Sequence, residues 1–343
     1  MRNIQIHRKH ARDRGSALLA MLWLSAALAA IAFSVATTVR SETDRVASAS
    51  DGLRAWYLAE GSVERGIQWM LWGPGVNGPD GTPRWRPNLP RMIMTYPSGD
   101  AIVEMIPESA KLNINTATPD DLTRVVMTVS GDAGRTAQIV AAILDWRGGP
   151  SASGSANLSL GPTFRPRHAS FQEIEELLLM QGMTPELFYG NYLADSPGRL
   201  YASGGLRDCL SVWGSQGPFD INTASPALME AMGMTADAVS AVVKYRQVQP
   251  FENMGDVGQL GVSTPRMSTG GNVIWTLRAS ARLRRPDGAP SEFVRTASAT
   301  VKLLDRSTYF MMPAHVLRWY DDAWSQSALT PPFIPVIPGA PVQ

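Results

Sequence analysis

The pattern of apolar and polar positions changes character along the chain. Residues 16–39 run for 24 positions without a charged side chain. As a helix rising ~1.5 Å per residue, that run reaches about 36 Å, enough to cross the roughly 30 Å hydrocarbon layer of a bilayer. Beyond Arg40 the pattern becomes amphipathic. Leu53, Trp56, Ala59, Val63, Ile67 and Met70 recur at steps of three or four, while Asp51, Arg54, Glu60, Glu64 and Arg65 take the other positions. The spacing predicts one helix over residues 16–72, closed by Gly73-Pro74-Gly75. Gly52, Gly61 and Gly66 each cost it up to ~1 kcal/mol relative to Ala, which predicts bending or local melting there.

Further along, the period shortens to two. Residues 101–106 form a short apolar run that reads as a buried strand. Trp275, Leu277, Ala279, Ala281 and Leu283 alternate with Thr276, Arg278, Ser280 and Arg282, Arg285-Pro286-Asp287-Gly288 turns the chain, and Ala297, Ala299, Val301 and Leu303 alternate again. This predicts a hairpin with one wet face, its dry face packed on the amphipathic half of the helix. Between these strands lies a repeat: Ile114-Asn115-Thr116-Ala117-Thr118-Pro119 returns as Ile221-Asn222-Thr223-Ala224-Ser225-Pro226. Thr118 and Ser225 suit a helix N-cap followed by proline, and Asp120 and Asp121 suit the first turn. The second copy continues through Leu228, Met229 and Met232, a Gly233-Met234-Thr235 break, and Ala238, Val239, Val242 and Val243 to Phe251. That pattern resembles a helix-hairpin-helix, a module that often grips DNA phosphates through hairpin amides.

Charge bears on orientation and on partners. Arg2, Arg8, Lys9, Arg12 and Arg14 face the single acid Asp13 ahead of the apolar run, which predicts a cytoplasmic N-terminus and everything after Arg40 on the other side. A cleaved secretory signal is the competing reading; its apolar core is usually shorter, although Ala26, Ala29 and Ala30 could mimic its cleavage site. Residues 219–261 carry two basic and five acidic side chains, a balance of −3 that argues against phosphate binding. The whole chain, 343 residues at a net charge of +1, shows no strong field. Cys209 is its only cysteine, so no intrachain disulfide forms. Beyond the leader only His168 and His315 remain, with no closely spaced metal ligands and no nucleophile elbow, and catalysis is not expected. Gly73-Pro74-Gly75-Val76-Asn77-Gly78 matches a dinucleotide pattern but follows a helix rather than a strand, so it reads as a loop.

Arg14-Gly15 followed by Ser16-Ala17-Leu18-Leu19 resembles the processing site of type IV pilin-like proteins. The resemblance implies cleavage by a prepilin peptidase between Gly15 and Ser16, with N-methylation of Ser16. Most such proteins carry glutamate at the fifth mature residue, here Ala20, and its absence is characteristic of the K-type minor pseudopilins of type II secretion (general secretion pathway protein K). Without that carboxylate a subunit lacks the partner for the amine of a subunit above, which suits the filament tip. Lys111-Leu112-Asn113 leading into the first repeat, residues 139–147 ending in Asp145-Trp146-Arg147, residues 171–179, and Gly182-Met183-Thr184 extend the resemblance over about residues 14–304.

The resemblance implies an α+β, pilin-like fold: a long N-terminal helix, transmembrane then amphipathic, on an antiparallel β-sheet interrupted by a large α-helical insertion. The expected division is a leader at 1–15, the long helix at 16–72 with its span at 16–39, loop and first strands at 73–110, the insertion at 111–265, a hairpin at 266–304 and an aromatic, proline-rich tail at 305–343. In that tail Tyr309, Phe310, Trp319, Tyr320 and Trp324 either anchor a partner or fold back on the head. The implied function is priming and capping of the periplasmic pseudopilus that exports folded proteins. The implied partners are the I and J types, the prepilin peptidase and the inner-membrane secretion platform. Calcium is a family expectation for which Asp145 is the sole candidate here, since Gly148, Gly149 and Pro150 follow Arg147 where further acids often stand. The alternative is a helix-hairpin-helix DNA-binding membrane protein of a competence-type pilus.

Overall fold

The computed structural model describes residues 10–73, 75–79, 81, 83–85, 91–148, 167–194, 200–304 and 313–321. Helix α1 (His10–Trp72) is continuous for 63 residues. It stops where Gly73 turns left-handed at φ +77° and its N–H donates to the carbonyls of Trp69 and Met70 at 3.1 and 3.2 Å. Residues 16–49 are exposed along their whole length, Trp23 at 73% and Phe33 at 72%. From Gly52 onward one face is buried: Gly52, Ala55, Ala59, Ser62, Val63, Gly66, Ile67, Trp69 and Met70. Leu53, placed in the apolar stripe by spacing, is instead 55% exposed, because the buried line runs through the smallest side chains and lets the sheet approach the helix backbone. Gly66 is such a contact rather than a bend: a Cβ there would stand 2.9 Å from Leu277 and 3.1 Å from Met92.

The sheet has five strands, all antiparallel, in the order β1-β2-β9-β10-β11. Strands β1 (Arg91–Tyr96) and β2 (Gly99–Pro107) precede the insertion. Within the insertion come β3 (Leu112–Asn113), α2 (Pro119–Ser130), α3 (Ala133–Gly148), α4 (Pro185–Tyr189), β4 (Asn191–Ala194), β5 (Leu200–Ser203), β6 (Leu210–Ser211), β7 (Phe219–Asp220), α5 (Pro226–Ala231), α6 (Ala236–Val248), α7 (Met254–Gly258) and β8 (Met267–Ser268). The chain then returns to the sheet through β9 (Ile274–Arg284), β10 (Pro290–Leu303) and β11 (Ala314–Tyr320). Ala279, Ala281, Ala297, Ala299 and Val301 face α1 and are fully or almost fully buried, as alternation requires.

Two sequence expectations need correction. The second face of the hairpin is dry at one end: Thr276, Ser298 and Thr300 are buried, with the Thr276 and Thr300 hydroxyls 2.8 Å apart. Arg278 on that face pairs with Glu104 at 3.6 Å and lies among Glu108 after β2 and Glu175 and Arg207 of the insertion, which covers it. The segment read as a tail also contributes β11, paired with β10, and the Trp56 indole N–H donates to the Asp321 carbonyl at 2.9 Å. Trp319 and Tyr320 therefore belong to the head, whereas Tyr309, Phe310, Trp324 and the proline-rich end lie outside the described residues.

The insertion has its own hydrophobic core, which includes Phe188, Phe219, Phe251, Leu122 and Ile143 and shares no residue with the core beneath α1. Its place on the sheet follows from register. Gly52 of α1 lies beside Arg295, whose strand partner is Ala281, and Gly66 lies beside Leu277. Progress along α1 away from its bare half is thus progress along β9 toward Trp275, which pairs with Pro107, where the chain departs for the insertion. The insertion sits at the end of the sheet remote from the bare half of α1, and the Arg285–Gly288 turn at the near end. Tyr320 donates to Glu173 at 3.1 Å and Arg318 pairs with the same carboxylate, tying insertion to head.

Replacing Gly66 by Val is expected to destabilise the protein by ~1–3 kcal/mol through overpacking. Gly61→Ala, where a Cβ meets nothing within 4 Å, should stabilise it by about 0.5–1 kcal/mol. Thermal unfolding of the two variants checks the sign of each.

Candidate functional site

The bare half of α1 is the first functional surface. None of its most apolar window is covered by the described chain. Three of its hydroxyls turn inward, Ser25 donating to the Leu22 carbonyl at 2.9 Å, and Thr37 and Thr38 to the Ser34 carbonyl at 2.8 and 2.9 Å. A hydroxyl that bonds its own helix presents mostly carbon to its surroundings, which suits hydrocarbon. The helix fits a single-pass membrane anchor. Gly15, Ser16 and Ala20 all lie on α1, and the side chains of Ser16 and Ala20 are exposed.

The second surface is the insertion, and the structure shows that the six-residue repeat belongs to a much larger duplication. Leu112 N–H donates to the Cys209 carbonyl and Ile114 N–H to the Ser211 carbonyl; Phe219 and Ile221 donate in the same way to Arg266 and Ser268. Each pairing is a two-residue parallel ladder, β3 with β6 and β7 with β8. Thr118 and Ser225 cap α2 and α5, each accepting from the backbone three residues on at 3.1 and 3.2 Å, with proline at the helix start. Asn115 exchanges two hydrogen bonds with the backbone of Phe171, at 3.0 and 2.7 Å, and Asn222 does the same with Phe251, at 3.0 and 2.8 Å. Arg147 donates to the carbonyls of Ile114 and Ala117 at 2.7 and 2.9 Å, and Arg246 to those of Ile221 and Ala224 at 2.9 and 2.8 Å. Trp146 stacks on Phe171, and Tyr245 on Phe251. Burial lowers the pKa of both arginines, yet each keeps its charge and satisfies two carbonyls of the repeat loop.

Spacing did not reveal these clamps, although a signal was present. An aromatic-arginine pair closes the longer helix of each copy, and a phenylalanine follows with an acid five residues later, Glu176 or Asp256. Those acids accept backbone N–H groups at equivalent places, from Gln172 and Glu173 in one copy and from Glu252 and Asn253 in the other. The copies are joined by Asp121 of α2, which accepts from Arg266 at 2.6 and 3.3 Å. Burial pushes the Asp121 carboxyl up, but the bonds and charge from Arg266, with Thr118 and Arg124, outweigh it and hold its pKa low.

The remaining candidates do not assemble a reactive centre. Asp145, the sole calcium candidate, is 2% exposed inside α3, so it presents no open ligand; among the described residues no group of three or more metal-binding side chains occurs. Cys209 is fully buried, its Sγ 3.2 Å from the Ser225 hydroxyl, and burial pushes its thiol up to about 12. The glycine-rich segment after α1 is a loop bridged between Asn77 and Pro83. In the α5–α6 hairpin the amides that would face a phosphate are engaged: Gly233 donates to Glu230 at 2.9 Å and Met234 to Met229 at 3.1 Å.

No family model matches this chain, and no curated protein matches it. Among solved structures it is similar to a chain of the crystal structure of the GspK-GspI-GspJ complex from the enterotoxigenic Escherichia coli type 2 secretion system, with a TM-score of 0.54 at 15% identity. The match covers 82% of this chain and 100% of that one. The two share a fold. This chain is α+β and pilin-like, with a long helix on an antiparallel sheet.

Removing either clamp should open its copy. Arg246→Met leaves two carbonyls without their donor and is expected to cost ~1–3 kcal/mol, and Arg147→Met a similar amount, by chemical unfolding. Asp121→Asn should also destabilise near neutral pH. A carboxyl held low lends stability above its ordinary range and loses it as pH falls through its folded value, so the gap to the parent should narrow below about pH 4.

Proposed function

We propose that this chain is a K-type minor pseudopilin of a type II protein secretion system. It enters the inner membrane with its N-terminus in the cytoplasm, is cut by prepilin peptidase between Gly15 and Ser16, and is methylated on Ser16. Its head lies in the periplasm and assembles with I- and J-type minor pseudopilins. The complex primes the pseudopilus on the secretion platform and caps it, acting by assembly and not by catalysis. The observation that supports this reading is the position of the insertion, a separately cored body at the end of the sheet farthest from the bare helix; in the proposed role its bulk obstructs a further subunit from stacking above. Ala20 agrees with it, since a subunit with nothing above has no amine to neutralise. The likeness to a chain of the GspK-GspI-GspJ complex supports the choice of partners. DNA binding is disfavoured by the balance of −3 over residues 219–261.

Mass spectrometry of the membrane protein from cells with an intact prepilin peptidase should give a chain beginning at methylated Ser16. Gly15→Val should leave the leader attached and abolish secretion. An unchanged mature mass in that variant refutes the processing step. Co-purification with I- and J-type partners at near-equal amounts tests the assembly, and its absence, with the partners shown to be folded, refutes it.

A further inference from the structure

The β9–β10 hairpin has a feature that tip assembly does not use. It runs back along α1 toward the bare half, since Leu277 lies beside Gly66 and Arg295, opposite Ala281, lies beside Gly52. Past Ala281 strand β9 continues three residues to Arg284, about 10 Å at ~3.3 Å per residue, and the chain then reverses through Pro286–Gly288. Gly52 stands 13 residues beyond Val39, the last residue of the uncharged run, or about 20 Å at ~1.5 Å per residue. With residues 16–39 in hydrocarbon, the turn therefore stands within about 10 Å of the point where the helix leaves it, a gap that arginine side chains narrow. Four arginines are exposed at this end of the head, Arg282, Arg284, Arg285 and Arg295, against the acids Asp100, Asp287 and Glu292, a balance of +1, and Phe293 adds a 44% exposed ring. Arg284 pairs with Asp100 at 2.8 Å and Arg285 with Glu292 at 3.2 Å, but these pairs are exposed and therefore weak.

We infer that this hairpin is a membrane-contact element that rests on anionic phospholipid headgroups while the subunit is still anchored. Guanidinium groups pair with lipid phosphates, and Phe293 enters the headgroup layer. Each basic residue near an anionic surface contributes on the order of 1 kcal/mol. That is enough to hold the head upright and weak enough to release when the subunit moves into a filament. The inference rests on residues 16–39 as the membrane anchor.

The test uses the full chain reconstituted into vesicles of phosphatidylcholine, alone or with about a third phosphatidylglycerol. A fluorophore is placed at Pro286→Cys or, for comparison, at Val248→Cys, an 87% exposed site in the insertion, with the buried Cys209 left in place. Spin-labelled headgroups should quench the first site at least ~3-fold more than the second in anionic vesicles, with the excess falling about 2-fold or more in ~0.5 M salt or in R282Q/R285Q/R295Q. Equal quenching at the two sites, or quenching at Pro286→Cys indifferent to lipid charge and to the arginine substitutions, overturns the contact. A chain that does not float with the vesicles overturns the anchor beneath it, a failure distinguishable from the first.

Discussion

One continuous helix must satisfy two different solvents, and most of the architecture follows from how it does so. Over residues 16–39 it carries no charge and turns the hydroxyls of Ser25, Thr37 and Thr38 onto its own carbonyls. From Gly52 it turns one face toward the sheet, small residues first and then Val63, Ile67, Trp69 and Met70. Gly52 and Gly66 are therefore not weak points in the helix. Each leaves room for a neighbour, the Arg295 guanidinium at one level and Leu277 with Met92 at the other. The helix stability they forgo, at most ~1 kcal/mol each, is offset by close packing of Ala279, Ala281, Ala297 and Ala299 on the sheet.

The insertion solves a different problem, that of building a core from short elements. Its two parallel ladders are two residues long and several of its helices five or six, too short to persist alone. What holds them is a set of satisfied polar contacts at the loops: an asparagine bonding both backbone groups of a phenylalanine, and an arginine reaching two carbonyls of the same loop. Buried backbone groups in loops are costly when unpaired, so such clamps fix the loop conformation and, through it, the direction of the helices that follow. Asp121 and Arg266 then lock the copies to each other.

Much of this was legible in the sequence where a single physical signal dominated. The uncharged run, the Gly73 stop, the capped helix entries at Thr118 and Ser225, and the alternation of β9 and β10 needed only local rules. Local rules failed where tertiary contacts decided. Leu53 fits the helical period but lies off the line facing the sheet, and Thr276 and Thr300 are polar yet buried, their hydroxyls paired on the face of the sheet that the insertion covers. Strand β11 was obscured by its mixed composition, Ala-His-Val-Leu-Arg-Trp-Tyr, which shows no clean alternation. Asp145 was a lone candidate carried by the family resemblance, and its burial inside α3 is a tertiary property that the sequence does not display. Six identical or similar letters hinted at the duplication, while its clamps were hidden by unequal spacing between equivalent residues.

That inequality has a meaning of its own. Four residues separate Arg246 from Phe251, but 23 separate Arg147 from Phe171, although both pairs close the same joint. The compact copy sets the minimum length the joint requires; the other has accepted an extra segment there without altering a single anchoring bond. A doubled scaffold of this kind separates tolerance from stability, giving the molecule one place where sequence can drift or lengthen at little cost to the frame that carries it.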